Sequence, residues 1–242
     1  MYVTLIRMST VRGARERARI EVTAAIKDEA RRRLADEGAA KLSLRAVARE
    51  LGMVSSALYR YFPSRDELLT ALIIDAYDSL GAAAEAAGAA ALAAGSPPRA
   101  RWTAVCEAFR AWALAHPHEY ALIYGSPVPG YSAPQDTVVP ASRVANVLIG
   151  IVRSAHEGRG LALPPLPATL RAEAGRMTAE FAEGLPPEVT AALVAAWAQL
   201  AGLVSFELFG QFNNVVEERD AFFAHAADQL AHAVGLPALG RP

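Results

Sequence analysis

The residues whose types and spacing could do chemistry lie between positions 43 and 65, and they offer hydrogen bonding to a polyanion. Ser55, Ser56, Tyr59, Arg60 and Tyr61 set short hydroxyls, phenols and a guanidinium on one short stretch. Such groups donate to phosphate oxygens and base edges, and Ala57 among them leaves room for close approach. An ordinary solvated helix face carries a Glu/Lys mixture instead, so this face points to DNA rather than to one more helical hairpin. Catalytic patterns are missing: the sequence contains no GxSxG, P-loop, GxGxxG or HExxH. His116 and His118 flank a proline, and His225 and His232 are seven apart, but a zinc site takes three or four ligands. They are expected to be surface or capping histidines, with no metal and no cofactor. Cys106, on an apolar helical face with no nearby cation, is expected to be an inert core thiol.

The elements that must position these groups follow from periodicity. Leu44, Val47, Ala48 and Leu51 fall at i, i+3, i+4 and i+7, one apolar face of a short helix. Ser43 is its expected N-cap, and Gly52 ends it where a left-handed backbone is needed. A second short helix, with Ser55 as its expected cap, turns Leu58 and Phe62 inward until Pro63 closes it. Two short helices joined by a Gly turn, with small Ala48 at their crossing, make a helix-turn-helix.

Charge agrees with that placement. The chain has 242 residues and a net charge of −1. Residues 1–65 carry 14 Lys/Arg and 7 Asp/Glu, hence +7, while the remainder carries 10 and 18, hence −8. A basic head on an acidic body is the electrostatic footprint of a protein that presents one end to a polyanion.

Residues 44–62 with the following Pro63-Ser64-Arg65-Asp66-Glu67-Leu68-Leu69 closely resemble the N-terminal domain of TetR-type bacterial transcriptional regulators. The run Ala57-Leu58-Tyr59-Arg60-Tyr61-Phe62 carries most of the likeness, which with Gly38 extends over residues 17–75. By motif position the resemblance implies DNA contacts from Arg45, Ser55, Ser56, Ala57, Tyr59, Tyr61 and Arg65. Arg45, Ser55 and Ser56 would read bases; Tyr59, Tyr61 and Arg65 would hold phosphates. Ser56 departs from the family pattern, where lysine is common, and implies fewer phosphate contacts and a different base preference. Residues 112–131, WALAHPHEYALIYGSPVPGY, resemble the C-terminal domain of a TetR subgroup of high-GC, actinobacteria-like genomes.

Along the chain, residues 1–16, with Arg7, Arg12 and Arg15, read as a mobile basic arm that either contacts phosphates or the minor groove or has no fixed role. Residues 17–63 are the expected helix-turn-helix domain and 64–242 a helical body. The first helix has Thr23, Ile26, Ala30 and Leu34 as its stripe, Gly38 past its end, and Arg31, Arg32 and Arg33 as a solvated face first and a phosphate contact second. Ser64-x-x-Glu67 is a capping box that launches a long fourth helix through Leu69, Leu72, Ile73, Ala76 and Leu80. Residues 82–95, rich in Ala and Gly, are either its tail or a loose connector.

Helices are expected at 99–115 and 119–124, followed by a rigid Pro/Gly loop at 125–131. Further helices follow at 138–157, 168–183, 188–212 and 219–234. The 188–212 helix is apolar on nearly all faces, yet Gln199, Ser205, Glu207 and Gln211 interrupt it and no Lys/Arg cluster flanks it, which argues against a membrane span.

The fold class is all-α. No signal peptide is expected, and a single cysteine fits a reducing cytoplasm. The body aromatics Trp102, Phe109, Trp112, Tyr120, Tyr124, Tyr131, Phe181 and Trp197 are core candidates. The resemblance implies a ligand cavity in the body, to which those near the Pro/Gly loop would contribute. The last two helices offer more apolar surface than one chain can cover, so a homodimer is expected, with Leu200, Val204, Leu208, Phe223 and Leu230 at its interface. The expected partners are a pseudo-palindromic DNA operator, a second copy and a small apolar or aromatic effector that releases a repressor. A ligand-independent regulator, an activator, and a helical enzyme using the body cavity stay open as alternatives.

Overall fold

The structure, a computed structural model, describes residues 2–158 and 160–237, and the side chains of all of these except 2–12 and 14. The described residues form ten α-helices and no strand: α1 (Tyr2–Glu37), α2 (Leu44–Glu50), α3 (Ser55–Leu58), α4 (Arg65–Ala93), α5 (Pro98–Ala115), α6 (Pro117–Tyr124), α7 (Val138–Glu157), α8 (Arg171–Phe181), α9 (Pro187–Leu208) and α10 (Arg219–Ala233).

Their apolar faces gather into two clusters. In the head, Ile26, Ala30 and Leu34 of α1 meet Leu44, Val47 and Ala48 of α2, Leu58 and Phe62, and Leu68, Leu69 and Leu72 of α4. In the body, Ala76, Leu80 and Ala84 of α4 meet the expected stripe of α5, from Trp102 to Trp112, together with α7, α9 and α10. One helix thus serves both cores, and at 1.5 Å per residue α4 spans about 43 Å.

Local chemistry explains the element ends. After α2 the Met53 amide donates to Ala48 O at 2.8 Å and the Gly52 amide to Arg49 O at 3.2 Å, the two bonds of a Schellman cap. That cap needs a left-handed residue, and Gly52 supplies φ +63°. Ser64 caps α4 as expected, its hydroxyl accepting from the Glu67 amide at 3.1 Å.

Several expectations are corrected. The first helix begins at Tyr2, so the segment read as a mobile basic arm is helical over residues 2–16 and continuous with the helix that carries the head's first stripe. The contacts considered for Arg7 and Arg12 fall outside the described side chains. Thr23 is only half-buried, and its hydroxyl donates back to Arg19 O. Val54, not Ser55, is the N-cap of α3, and Ser43 caps α2 with its backbone alone. Helix α9 stops at Leu208, short of Phe212, because the chain reverses through Gly210 at φ +84° to bring α10 back alongside. Residues 82–93 are the tail of α4. There Gly81 is buried beneath Arg143 of α7, and an added Cβ would lie 2.7 Å from that side chain. Arg143 then reaches Asp78 and Glu85 on α4 at 2.8 and 2.7 Å.

Two further arginines tie the body together. Arg99 of α5 grips Asp228 of α10 in a two-pronged pair at 2.5 and 2.6 Å. Arg110 of α5 grips Glu207 of α9 at 2.7 Å through both prongs and reaches Asp220 of α10 at 2.8 Å.

Candidate nucleic-acid interface and body cavity

The helix-turn-helix presents a polar, cationic face. Arg45 of α2 and Ser56 of α3 are exposed, and Tyr59 is 40% exposed. Ser55 and Ala57 are half-buried, and Tyr61 is half-buried because its ring packs on the head's apolar cluster. The second element is shorter than expected. Beyond Leu58 the backbone tightens, with the Arg60 amide donating to Ala57 O at 3.2 Å and that of Tyr61 to Leu58 O at 2.8 Å. Lys41, Arg49 and Arg60 are also exposed, and among the described residues no ion pair engages them or Arg45. Lys41 and Arg49 were missed as candidates, although Arg49 lies four residues after Arg45 on the same helix face.

Other cations of the head are committed internally. Arg65, expected on a phosphate, donates to the carbonyls of Leu42 at 3.2 Å, Ala39 at 2.9 Å and Ala40 at 3.3 Å. Its guanidinium ties the turn after α1 to the start of α4. Within the run Arg31–Arg33 only Arg32 stays solvated as expected, with a side chain 65% exposed, while Arg31 and Arg33 are drawn into ion pairs. Arg31 pairs with Asp75 of α4 at 2.6 Å and Glu119 of α6 at 3.2 Å, while Arg33 pairs with Glu29 at 3.0 Å and Glu37 at 3.1 Å.

Opposite outcomes are therefore expected for two arginines. Arg65→Ala should lower stability by about 1.5–3 kcal/mol, since it strips charged donors from three carbonyls. Arg45→Ala should leave unfolding unchanged and weaken DNA binding instead. Denaturant unfolding and duplex titration of both variants check the pair.

In the body the expected aromatics separate into groups. Phe109, Tyr120, Tyr124 and Trp197 form one cluster, with ring centroids 5.0–6.1 Å apart along its edges. Tyr77 of α4 joins it at 6.1 Å from Tyr124, a member that sequence spacing did not suggest. The Tyr120 hydroxyl donates to Ala201 O at 2.8 Å and lies 2.9 Å from Ser205 Oγ, fastening α6 to α9. Burial pushes the Tyr124 phenol well above its usual pKa, with Tyr77 and Tyr120 adding to the shift, so it stays neutral.

The remaining candidates go elsewhere. Trp102 is buried core, and Trp112 donates to Ser79 Oγ at 2.9 Å and stacks on His116. Tyr131 does not join the cluster: its hydroxyl lies 2.9 Å from Thr70 Oγ1 of α4, beside the head. Phe181, 43% exposed, flanks a cavity of about 210 Å³ between α7, α8 and α9. Trp197, Leu148, Ile149 and Leu193 are its other main walls, and the lining is almost wholly apolar. Trp197 therefore separates this cavity from the aromatic cluster. Cys106 is buried and its thiol is pushed up by burial, as expected of an inert core cysteine. No group of three metal-ligating side chains occurs among the described residues.

The residues expected to meet a second copy pack largely within one chain. Leu200 and Val204 are fully buried within one chain, as nearly are Phe223 and Leu230, while Leu208 is half-buried against the same core. The apolar side chains left outside are Val194, Phe206, Phe209 and Phe222, each 41–51% exposed. Phe206, Phe212 and Phe222 form an edge-to-face ladder with centroids 5.7 and 5.5 Å apart. It borders a shallow groove of about 500 Å³ between α9 and α10. Length and composition alone would let α9 cross a membrane, but its inner face is spent on the body core.

Comparison with known proteins agrees with this architecture. Residues 26–72 match the family model for bacterial regulatory proteins of the tetR family, and residues 102–230 match that for the tetracyclin repressor-like C-terminal domain. HTH-type transcriptional regulators of Mycobacterium tuberculosis and Mycobacterium bovis are each 39% identical over 207 residues, spanning 83% of this chain and 86% of theirs. The crystal structure of the regulatory protein SCO4313 is 35% identical with a TM-score of 0.75, covering 90% of this chain and 98% of that one. These relatives are transcriptional regulators rather than enzymes, and the family implies DNA binding and dimerisation. With a helix-turn-helix head and a helical body matched over most of its length, the chain belongs to the TetR family of bacterial transcriptional regulators.

Proposed function

We propose that the protein is a cytoplasmic, dimeric repressor that leaves a pseudo-palindromic operator when a small apolar or aromatic molecule enters its body. Arg45, Ser56 and Tyr59 meet the duplex, with Ser55 behind them at the base edges and Tyr61 toward the backbone. Lys41, Arg49 and Arg60 add phosphate contacts, and Arg65 supports the head rather than touching DNA.

One observation carries the effector part of this reading. The apolar cavity shares Trp197 with the aromatic cluster, and that cluster includes Tyr120 and Tyr124 of α6. Glu119, beside Tyr120, holds Arg31 of the head. A ligand that displaces Trp197 therefore presses on the helix against which the head rests. A ligand that prefers a dimer with the wrong head separation must weaken operator binding by the reciprocal factor.

Fluorescence anisotropy with a labelled duplex from the gene's own upstream region tests this. Binding should weaken steeply with salt, with a slope corresponding to about 4–10 phosphate contacts per dimer. Indole and a short-chain phenol, each tried as a cavity probe, should lower affinity in wild type and act less on Trp197→Ala. Tighter binding on adding a probe would make the protein a co-repressor-dependent regulator or an activator and overturn the release mechanism. Affinity indifferent to salt would remove the cationic head as the docking surface.

A further inference from the structure

We propose that the Pro/Gly loop at 125–131 is a strut that fixes the angle of the head on the body, with Val128 and Tyr131 as positioning residues for operator recognition. The inference rests on reading the protein as a dimer that engages two half-sites. Val128 and Tyr131, with Leu122 of α6, pack on the apolar cluster of the head, although they are body residues by sequence. The Tyr131 hydroxyl adds the 2.9 Å contact with Thr70, in the segment of α4 that contributes Leu69 and Leu72 to the head's core.

The loop is built to hold its shape. Pro127 and Pro129 fix φ on either side of Val128, and a residue before proline is confined to extended conformations. The Tyr131 amide donates to Val128 O at 3.1 Å, and Gly130 between them has φ +77°. Proline then glycine at the two central positions is the signature of a type II turn. That turn sets the spacing between the two side chains that touch the head.

The other end of the strut is anchored. The loop continues directly from α6, and Tyr120 fastens α6 to Ala201 and Ser205 on α9, the helix whose outer face we assign to the second copy. Rigid contacts therefore run from the dimer face through α9, α6 and the loop to the head. Helix α4 alone would leave the head on a single leg, free to pivot. The loop makes a second leg, and the Arg31–Glu119 pair braces it. Between loop and head lies a groove of about 520 Å³, bounded by Leu34, Gly38 and Ala40 on one side and by Leu122 and Val128 on the other. The two parts thus meet at a few points rather than over a continuous surface, so each point carries more of the positioning.

The test uses full-length protein and an operator selected by the protein from a random duplex pool. Affinity is measured for that operator, for versions with one base pair added or removed between half-sites, and for an isolated half-site. One base pair rotates a half-site by about 35°, so wild type should discriminate at least about tenfold between native and altered spacing. Tyr131→Phe and Thr70→Val each delete the same hydrogen bond from opposite sides, and Pro129→Gly loosens the turn. All three are expected to flatten the spacing preference while half-site affinity stays unchanged; for Tyr131→Phe the melting temperature should also stay unchanged. Variants that keep the wild-type spacing preference overturn the strut, as does an equal loss on native, altered and half-site duplexes, which would mark a merely structural role. A wild type that ignores spacing altogether overturns the two-half-site reading itself, and the strut falls with it.

Discussion

A Phe206→Glu variant is expected to fold, to sediment as a monomer at micromolar concentration, and to lose operator affinity by roughly 10²–10⁴-fold, the gain that linking two binding heads supplies. The folding half of this expectation comes from exposure: Phe206 is 51% exposed in the isolated chain, so a carboxylate there stays in water until a second copy arrives. The dissociation half comes from the neighbours. Phe206 stands in the Phe206–Phe212–Phe222 ladder, and a charge buried in that ladder without a partner costs several kcal/mol. Val204→Glu, two residues earlier, should behave differently. Its side chain is fully buried within one chain, so the variant is expected to unfold the body rather than to release a folded monomer. Sedimentation together with far-ultraviolet circular dichroism separates the two outcomes. A dimeric Phe206→Glu protein that still binds operator tightly would move the interface off this face.

The contrast between Phe206 and Val204 shows what the sequence could reveal. The helix-turn-helix was legible because its signals are local: a four-residue periodicity in α2, a glycine at the left-handed position, and a Ser-x-x-Glu cap. Each is decided within a few residues, so no distant partner can override it. Helix α9 is apolar on nearly every face, and periodicity cannot then say which face is inward; only packing against α5 and α10 assigns Leu200 and Val204 to the core. Charges are hard to read for the same reason. The partners of Arg31, Asp75 and Glu119, lie 44 and 88 residues away, and the carbonyl partners of Arg65 precede it by 23–26 residues, beyond any local pattern. The aromatics fared by location. Phe109, Tyr120, Tyr124 and Trp197 do converge, whereas Tyr131 follows a rigid turn toward the head, a direction that composition does not encode.

Glu207→Ala should cost about 3–5 kcal/mol, the usual penalty for stranding one member of a buried ion pair. That is a large share of the roughly 5–15 kcal/mol by which a domain is stable. The side chains of Arg110 and Glu207 are 14% and 7% exposed, and the guanidinium also sits 5.2 Å from the Phe223 ring centroid. Glu207's hydrogen bonds hold the Arg110 proton more tightly than usual, and with Glu207 removed the guanidinium still stays charged because arginine is not deprotonated in proteins. Asp220 still reaches Arg110, but that carboxylate is 94% exposed and its attraction is screened by water. Denaturant midpoints should therefore fall sharply for Glu207→Ala and for Arg110→Ala. The double variant Arg110→Met, Glu207→Leu should recover most of the loss, because no charge is left stranded. A midpoint for Glu207→Ala within error of wild type would show that the pair does not hold the body together. Glu207 points inward one residue after the outward Phe206, and Arg110 binds α5 to both α9 and α10. Loss of the pair should thus loosen the two helices that present the aromatic ladder. Sedimentation of Glu207→Ala should accordingly show a weaker dimer even below its unfolding temperature.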